Sequence, residues 1–188
     1  MNATRIRILA VCLFLAVCVD AAVALGQADT QWVLQQSTLT YHIVHPLHQV
    51  DGVSHAAKGK GACQAGQCDF LIAVPVKSFD SGDSNRDLHM LQVTRGGQYP
   101  MVVVNTHVAE DVSASATIHV DLEIQFAGQT VKYPQIPFQL VIQGDQATIS
   151  GTIPATLTDF KINPPELLAM PVKNDIPIHV DLTWQKQK

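Results

Sequence analysis

The stretch Ile118-His119-Val120-Asp121-Leu122-Glu123-Ile124-Gln125-Phe126 alternates apolar and polar side chains at every position. Such period-two alternation indicates a β-strand with one dry and one wet face, as in antiparallel sheets. The last strand repeats this pattern, with apolar residues predicted to point inward at Ile176, Ile178, Val180, Leu182 and Trp184. Similar runs predict further strands over residues 32–36, 38–45, 57–63, 68–76, 101–108, 131–142 and 148–157.

Eight or nine such strands must protect the free edges of their sheet, and closure into a barrel is the usual way to do so. About eight strands enclose an interior wide enough for one small ligand, whereas a two-sheet sandwich would have a filled core. Two short helices are also predicted: one over Ser84 to Val93 behind an Asp83 N-cap, and one starting at Asn163 with Pro164 at its first position. The predicted fold class is therefore all-β, an antiparallel barrel with one or two short helices.

Residues 1–26 differ from the rest of the chain. Of the 188 residues 47% are hydrophobic, and 20 of these lie in the first 26 positions. Two arginines precede an unbroken apolar run from Ile8 to Val19, which is shorter than the roughly 20 residues that a bilayer core requires. Small residues follow, so this segment is interpreted as a secretory signal peptide, with cleavage after Gly26 favoured over cleavage after Ala24. Residues 27–188 then form a single domain.

Charge and hydropathy restrict the partners of this domain. Without the leader the chain holds 10 basic and 15 acidic residues, a net charge of −5. A chain with this balance has no basic patch for nucleic acid, and no stable membrane span is expected after the leader. The expected location is the periplasm or the cell exterior, and a homodimer remains open.

Cys63 and Cys68 are the two cysteines beyond the leader. Four residues with a turn-like composition separate them, and exported proteins form disulfides readily. A disulfide across a hairpin is the main prediction. A redox-active pair is the alternative, although such pairs usually have only two intervening residues.

Eight histidines raise the hypothesis of a metal site. His45, His48 and His55 would converge on a tetrahedral ion if the loop between them folded back. The sequence Ile-His-Val-Asp-Leu occurs at 118–122 and again at 178–182, and its His and Asp side chains would meet if these strands were neighbours. Alternation of polar residues on the surface is the simpler interpretation.

The stretch Ser78 to Met90 reads S-F-D-S-G-D-S-N-R-D-L-H-M and is followed by Tyr99-Pro100. This stretch resembles the most specific motif of the YceI-like family. The strand Ser37 to His45 is similar to the family's first strand, and Thr158 to Ile162 (T-D-F-K-I) is similar to its closing D-F-x-I element. The resemblance extends over residues 31–184, and Arg-Asp-x-His is its most distinctive part.

The resemblance implies an extended, lipocalin-like antiparallel barrel in the periplasm. Its interior would bind a long apolar lipid, such as a polyisoprenoid, an isoprenoid quinone or a fatty amide, and no cofactor is expected beyond this lipid. Inward residues of the matched strands are expected to contact it: Tyr41, Ile43, Val102, Val104, Ile118, Val120, Leu122 and Ile124. Arg86, Asp87 and His89 are interpreted as a scaffold that fixes the helix over the barrel, or alternatively as contacts to a ligand headgroup.

Motifs for catalysis are missing from the sequence: it contains no G-x-S-x-G, no H-E-x-x-H and no glycine-rich phosphate loop. The predicted function is therefore sequestration or transport of a lipid, without catalysis. The alternative is a metal- or redox-responsive periplasmic protein that uses its histidines or Cys63 and Cys68.

Overall fold

A computed structural model describes residues 30–187, so the signal peptide predicted for residues 1–26 lies outside the described residues. The single α-helix of the described part, α1, spans Ser84–Val93. The strands are β1 (Thr30–His45), β2 (His48–Ser54), β3 (Lys58–Gln64), β4 (Gln67–Pro75), β5 (Met101–Ala109), β6 (Ser115–Phe126), β7 (Gln129–Gln143), β8 (Gln146–Ile153), β9 (Glu166–Leu167), β10 (Met170–Pro171) and β11 (Ile178–Lys186). Short 3-10 turns occupy Val76–Ser78 and Thr158–Phe160.

Eight of the strands form a closed antiparallel barrel, which confirms the predicted fold class. Their order is β11-β8-β7-β6-β5-β4-β3-β1, and β1 pairs again with β11 to close the ring. β2 pairs with the second half of β1, from Leu39–Ser54 to His45–His48, on the same edge of β1 as β3, because β11 occupies the other edge. Closure leaves the ring without a free edge, so backbone hydrogen bonds hold it along its full circumference.

The two ends of the barrel are built differently. At one end, here called the disulfide end, the strands turn at residues 65–66, 110–114 and 144–145. The opposite end, called the helix end, carries α1, the turn at 46–47 and the long connection over residues 154–177. The longest segments outside the barrel strands, α1 and the connection over residues 154–177, therefore both lie at the helix end.

β1 is a single strand, although two strands were predicted over 32–36 and 38–45. A β-bulge between Leu34 and Gln36 shifts the register and lets the strand continue. The prediction also missed β2, which follows β1 after the two-residue turn Pro46-Leu47. A proline at a turn ends one strand without preventing a hairpin.

The helix α1 has the predicted bounds, and the Asp83 side chain accepts hydrogen bonds from the Asn85 and Arg86 amides at 2.9 and 3.1 Å. The second predicted helix, at Asn163, was wrong. Glu166–Leu167 instead pairs with Met170–Pro171 as a small hairpin. Pro165 follows Pro164 directly, and a residue before proline is kept out of the helical region, so the helix cannot begin there.

The alternation in β6 and β11 separates inside from outside as predicted. Val120, Leu122 and Ile124 are buried, whereas His119 and Asp121 are exposed. Within residues 30–187, α1 is ten residues long, and no helix there has both the length and the apolar character for crossing a membrane.

Candidate functional site

The barrel encloses an apolar cavity of about 740 Å³. Protein interiors are close-packed and leave few voids larger than a water molecule, so a space of this size has the dimensions of a ligand cavity and is not a packing defect. Its wall includes Ile72, Val74, Leu140, Ile149, Val180 and Leu182. Exposed residues line it at both ends, namely Glu110 and Lys186 at the disulfide end and Arg86, Glu166 and Leu167 at the helix end.

All eight residues expected to contact the ligand lie on this wall: Tyr41, Ile43, Val102, Val104, Ile118, Val120, Leu122 and Ile124. They come from β1, β5 and β6, and their neighbours along each strand point outward. Val104 is only half-buried although it points into the barrel, because it faces open cavity space. The resemblance to the YceI-like family selected these strands, and the period-two pattern indicated which of their residues point inward.

Aromatic side chains narrow the cavity toward the disulfide end. Trp184 is 2% exposed and packs edge-on against Phe70, with 4.9 Å between ring centroids. Gly59 makes room for the indole, because a Cβ at that position would lie 2.6 Å from the ring. The alternation of the last strand predicted Trp184 inside the barrel but did not indicate that it lines the cavity.

Cys63 and Cys68 form a disulfide, which confirms the predicted pairing. They face each other directly on β3 and β4, and both side chains are buried on the cavity wall. The bond therefore ties the tip of one hairpin at the disulfide end.

Tyr41 places a phenol hydroxyl on the cavity wall near the helix end. Its ring covers Gly52 on β2 and lies 5.6 Å from the ring of Phe79. Burial raises the pKa of the Tyr41 phenol, the Asp87 carboxylate raises this pKa further, and the Arg86 guanidinium partly offsets both effects. The phenol therefore remains protonated at physiological pH.

The Arg-Asp-x-His stretch lies at the start of α1 and has two kinds of contact. Arg86 donates from Nε to the Ser81 hydroxyl at 3.0 Å and from its terminal nitrogen to the Ser81 carbonyl at 2.7 Å. Asp87 accepts from the Ser81 amide and hydroxyl at 3.1 and 2.6 Å. These four bonds fix α1 to the preceding loop, whereas Arg86 and His89 also line the cavity.

The segment Thr158–Phe160 closes part of the helix end. Phe160 is 2% exposed and lies 5.2 Å from Phe126, ring centroid to centroid. The Tyr133 hydroxyl donates to the Asp159 carboxylate at 2.7 Å, and burial together with this bond raises the pKa of Tyr133. The D-F-x-I element in this segment was identified only through a resemblance, and Phe160 was not predicted as a cavity residue.

His45 joins the two hairpins at the helix end. Its Nε2 donates to the Met170 carbonyl at 3.1 Å, and its Nδ1 accepts from the Leu47 amide at 3.2 Å. Both ring nitrogens of this buried histidine are therefore occupied by protein groups. The His48 ring lies 5.0 Å away, whereas His55 bonds to the Ser37 carbonyl at 3.0 Å.

The structure does not gather the histidines into the clusters considered above. β7 and β8 separate β6 from β11, so the repeats at 118–122 and 178–182 are not neighbours. Across residues 30–187, no group of three or more metal-ligating side chains is placed to hold an ion.

Comparisons with known proteins agree with this architecture. Among solved structures, a polyisoprenoid-binding domain from Saccharophagus degradans, implicated in plant cell wall breakdown, aligns with a TM-score of 0.68 at 11% identity over 83% of this chain and 98% of that one. Burkholderia cenocepacia BcnA aligns with a TM-score of 0.64 at 15% identity, over 78% and 95% of the two chains. A Campylobacter jejuni YceI protein gives 0.51 at 14% identity, over 64% and 72%.

At these identities the structural likenesses establish the fold alone, and a search of curated proteins finds no match. The family assignment comes from the sequence itself. The family model of the YceI-like domain matches residues 32–184, which extend from β1 into β11 and include nearly all of the cavity wall. The chain therefore belongs to the YceI-like family.

Proposed function

We propose that this protein binds a long apolar lipid inside its barrel, and that it sequesters or carries this lipid in the periplasm after export. The observation that supports the proposal most directly is the apolar cavity of about 740 Å³. Each buried methylene of a lipid tail contributes roughly 0.8 kcal/mol to binding, so an extended tail has a large driving force to enter. The S. degradans relative, described as polyisoprenoid-binding, supports an isoprenoid ligand.

The distribution of polar groups supports one orientation of the ligand. The tail would lie among the valine, leucine and isoleucine side chains of β5 and β6. Tyr41, Arg86 and His89 lie at the helix end, where hydrogen-bond donors are available. An isoprenoid with an oxygen-bearing head would place that head beside these three side chains. In this arrangement Arg86 both holds the loop at Ser81 and contacts the head.

Mass spectrometry of organic extracts tests the proposal, using protein purified from the periplasm. The wild type is expected to carry lipid in a near-stoichiometric amount. Val104→Trp places an indole in the cavity and is expected to lower the lipid-to-protein ratio at least tenfold. Val103→Trp is the matched control, because Val103 is the next residue on β5 and points outward. Extracts that contain no lipid, or an equal loss in both variants, would contradict the proposal.

A further inference from the structure

Three exposed leucines lie on two adjacent turns at the helix end. Leu47 is 60% exposed at the tip of the β1–β2 hairpin, and Leu167 and Leu168 are 48% and 75% exposed at the tip of the β9–β10 hairpin. His45 links these hairpins through its bonds to the Leu47 amide and the Met170 carbonyl. We call Leu47, Leu167 and Leu168 the leucine tip.

The conformation of the second turn indicates that Leu168 does not serve the fold. Leu168 and Ala169 have φ angles of 53° and 61°, which place both in the left-handed region. A two-residue turn of this kind favours Asn-Gly, and a leucine there is strained. Leu168 also buries little of its side chain, so neither backbone conformation nor packing favours it. Strained residues without a structural benefit indicate a functional contact.

The leucine tip is continuous with the cavity. Leu167 belongs to both, because it is half-exposed and also lines the cavity together with Glu166 and Pro165. An apolar path therefore runs from the barrel interior to the outer surface at the helix end. A lipid that entered there from water would have to expose its tail, whereas a lipid that entered from a bilayer would not.

We propose that the leucine tip docks the helix end of the barrel onto a lipid bilayer, with Leu47 and Leu168 inserted among the acyl chains. This inference rests on the proposed function, since it gives the cargo a route between the membrane and the cavity. The surroundings favour a neutral membrane surface: the connection over residues 154–177 holds Asp159, Lys161, Glu166, Lys173 and Asp175, and so has no excess of positive charge. Docking is therefore driven by apolar insertion and does not require anionic lipids.

Flotation with phosphatidylcholine vesicles tests this proposal. The mass of the purified protein is measured first, because an uncleaved leader would itself bind vesicles. Leu47→Ser is expected to lower the partition coefficient roughly tenfold, because the variant no longer buries one leucine side chain in the bilayer. Leu71→Ser is the matched control, since Leu71 is 50% exposed on β4, away from the tip, and its loss should leave partitioning unchanged.

The double variant Leu168→Asn/Ala169→Gly separates docking from folding. Asn-Gly suits the left-handed turn, so this variant should melt at the same temperature as the wild type or higher. Its partition coefficient should nevertheless fall about tenfold. A higher melting temperature with weaker partitioning supports docking and excludes partial unfolding as the cause.

The proposal is overturned if the wild-type protein does not float with vesicles, or if Leu71→Ser lowers flotation as much as Leu47→Ser. It is also overturned if the protein is a dimer that the leucine-tip variants convert to a monomer without any change in flotation. The lipid content of the same preparations reports separately on the proposed function. Leucine-tip variants that retain their lipid but lose flotation support docking. Wild-type protein that floats but carries no lipid supports docking and contradicts the proposed cargo.

Discussion

The disulfide end and the helix end of the barrel are held together by different forces. At the disulfide end, β3 and β4 meet in a tight turn with Ala65 and Gly66 at positive φ, and the Cys63–Cys68 bond crosslinks the hairpin. At the helix end, α1 buries none of its residues and is attached through the polar contacts of Ser81. Regions with little buried apolar surface open at low free-energy cost. The helix end is therefore the side of the barrel that opens at the lower free-energy cost, in keeping with the entry route proposed above.

The helix end contains one tightly packed element, the segment Thr158–Phe160. The largest effect of a substitution on the free energy of unfolding is expected in this segment and not in α1. Phe160→Ala should lower the free energy of unfolding by about 3 kcal/mol or more, because it removes a buried ring from contact with Phe126 and Tyr133. Met90→Ala, on α1, should cost about 1 kcal/mol or less, since Met90 is only partly buried. Urea denaturation measures both. Equal losses would show that α1 belongs to the cooperative core, contrary to the comparison.

An intermediate effect is expected at the disulfide end. The Cys63–Cys68 bond closes a loop of few residues, and such a bond contributes roughly 2 kcal/mol through the entropy of the unfolded chain. Reduction should lower the free energy of unfolding by this amount, and the Cys63→Ala/Cys68→Ala variant should match reduced wild type. The variant should leave amide hydrogen exchange in α1 unchanged. Faster exchange in α1 would show that the two ends are coupled.

Sequence patterns predicted the barrel well because the side chains of a barrel strand must alternate between the interior and the outer surface. Each strand alternates one residue inward and one outward, so Val120 and Leu122 were assigned to the interior from this alternation, whereas Val102 and Val104 were assigned through the strands matched to the YceI-like family. The hairpin disulfide followed from spacing and compartment. The cavity volume did not follow, because the same alternation would also suit a filled core.

The connections at the helix end were harder to predict because their structure depends on tertiary contacts. The helix predicted at Asn163 failed at Pro164-Pro165, and the hairpin that replaces it is held by the His45 bond to Met170, 125 residues away in sequence. β2 was missed because its pairing with β1 depends on a turn that contains Pro46. The histidines were considered as metal ligands, although His45 serves as a structural link. Such contacts have no local sequence signature.

The smallest expected effect concerns the N-cap of α1. Hydrogen bonds from the Arg86 and Asn85 amides lower the pKa of Asp83 below its ordinary value of 3.8. A carboxylate with a lowered pKa in the folded state stabilises the fold above its ordinary pKa, and this contribution is lost as the pH falls through the lowered value. Protection of the α1 amides should therefore decrease several-fold below about pH 4, with little change in global stability.

Two variants of Asp83 make this prediction specific to α1. Asp83→Asn keeps an N-cap acceptor that does not titrate, so the protection of α1 should become independent of pH. Asp83→Ala should show weak protection at every pH. Asp121 also has a lowered pKa, from the Gln135 amide, but it lies at a bulge in the barrel wall, where β6 pairs with β7. Asp121→Ala should therefore lower the global free energy of unfolding and leave amide exchange in α1 unchanged. If Asp121→Ala instead increased exchange in α1, and Asp83→Ala lowered the global free energy of unfolding, then α1 would be part of the barrel's cooperative unit.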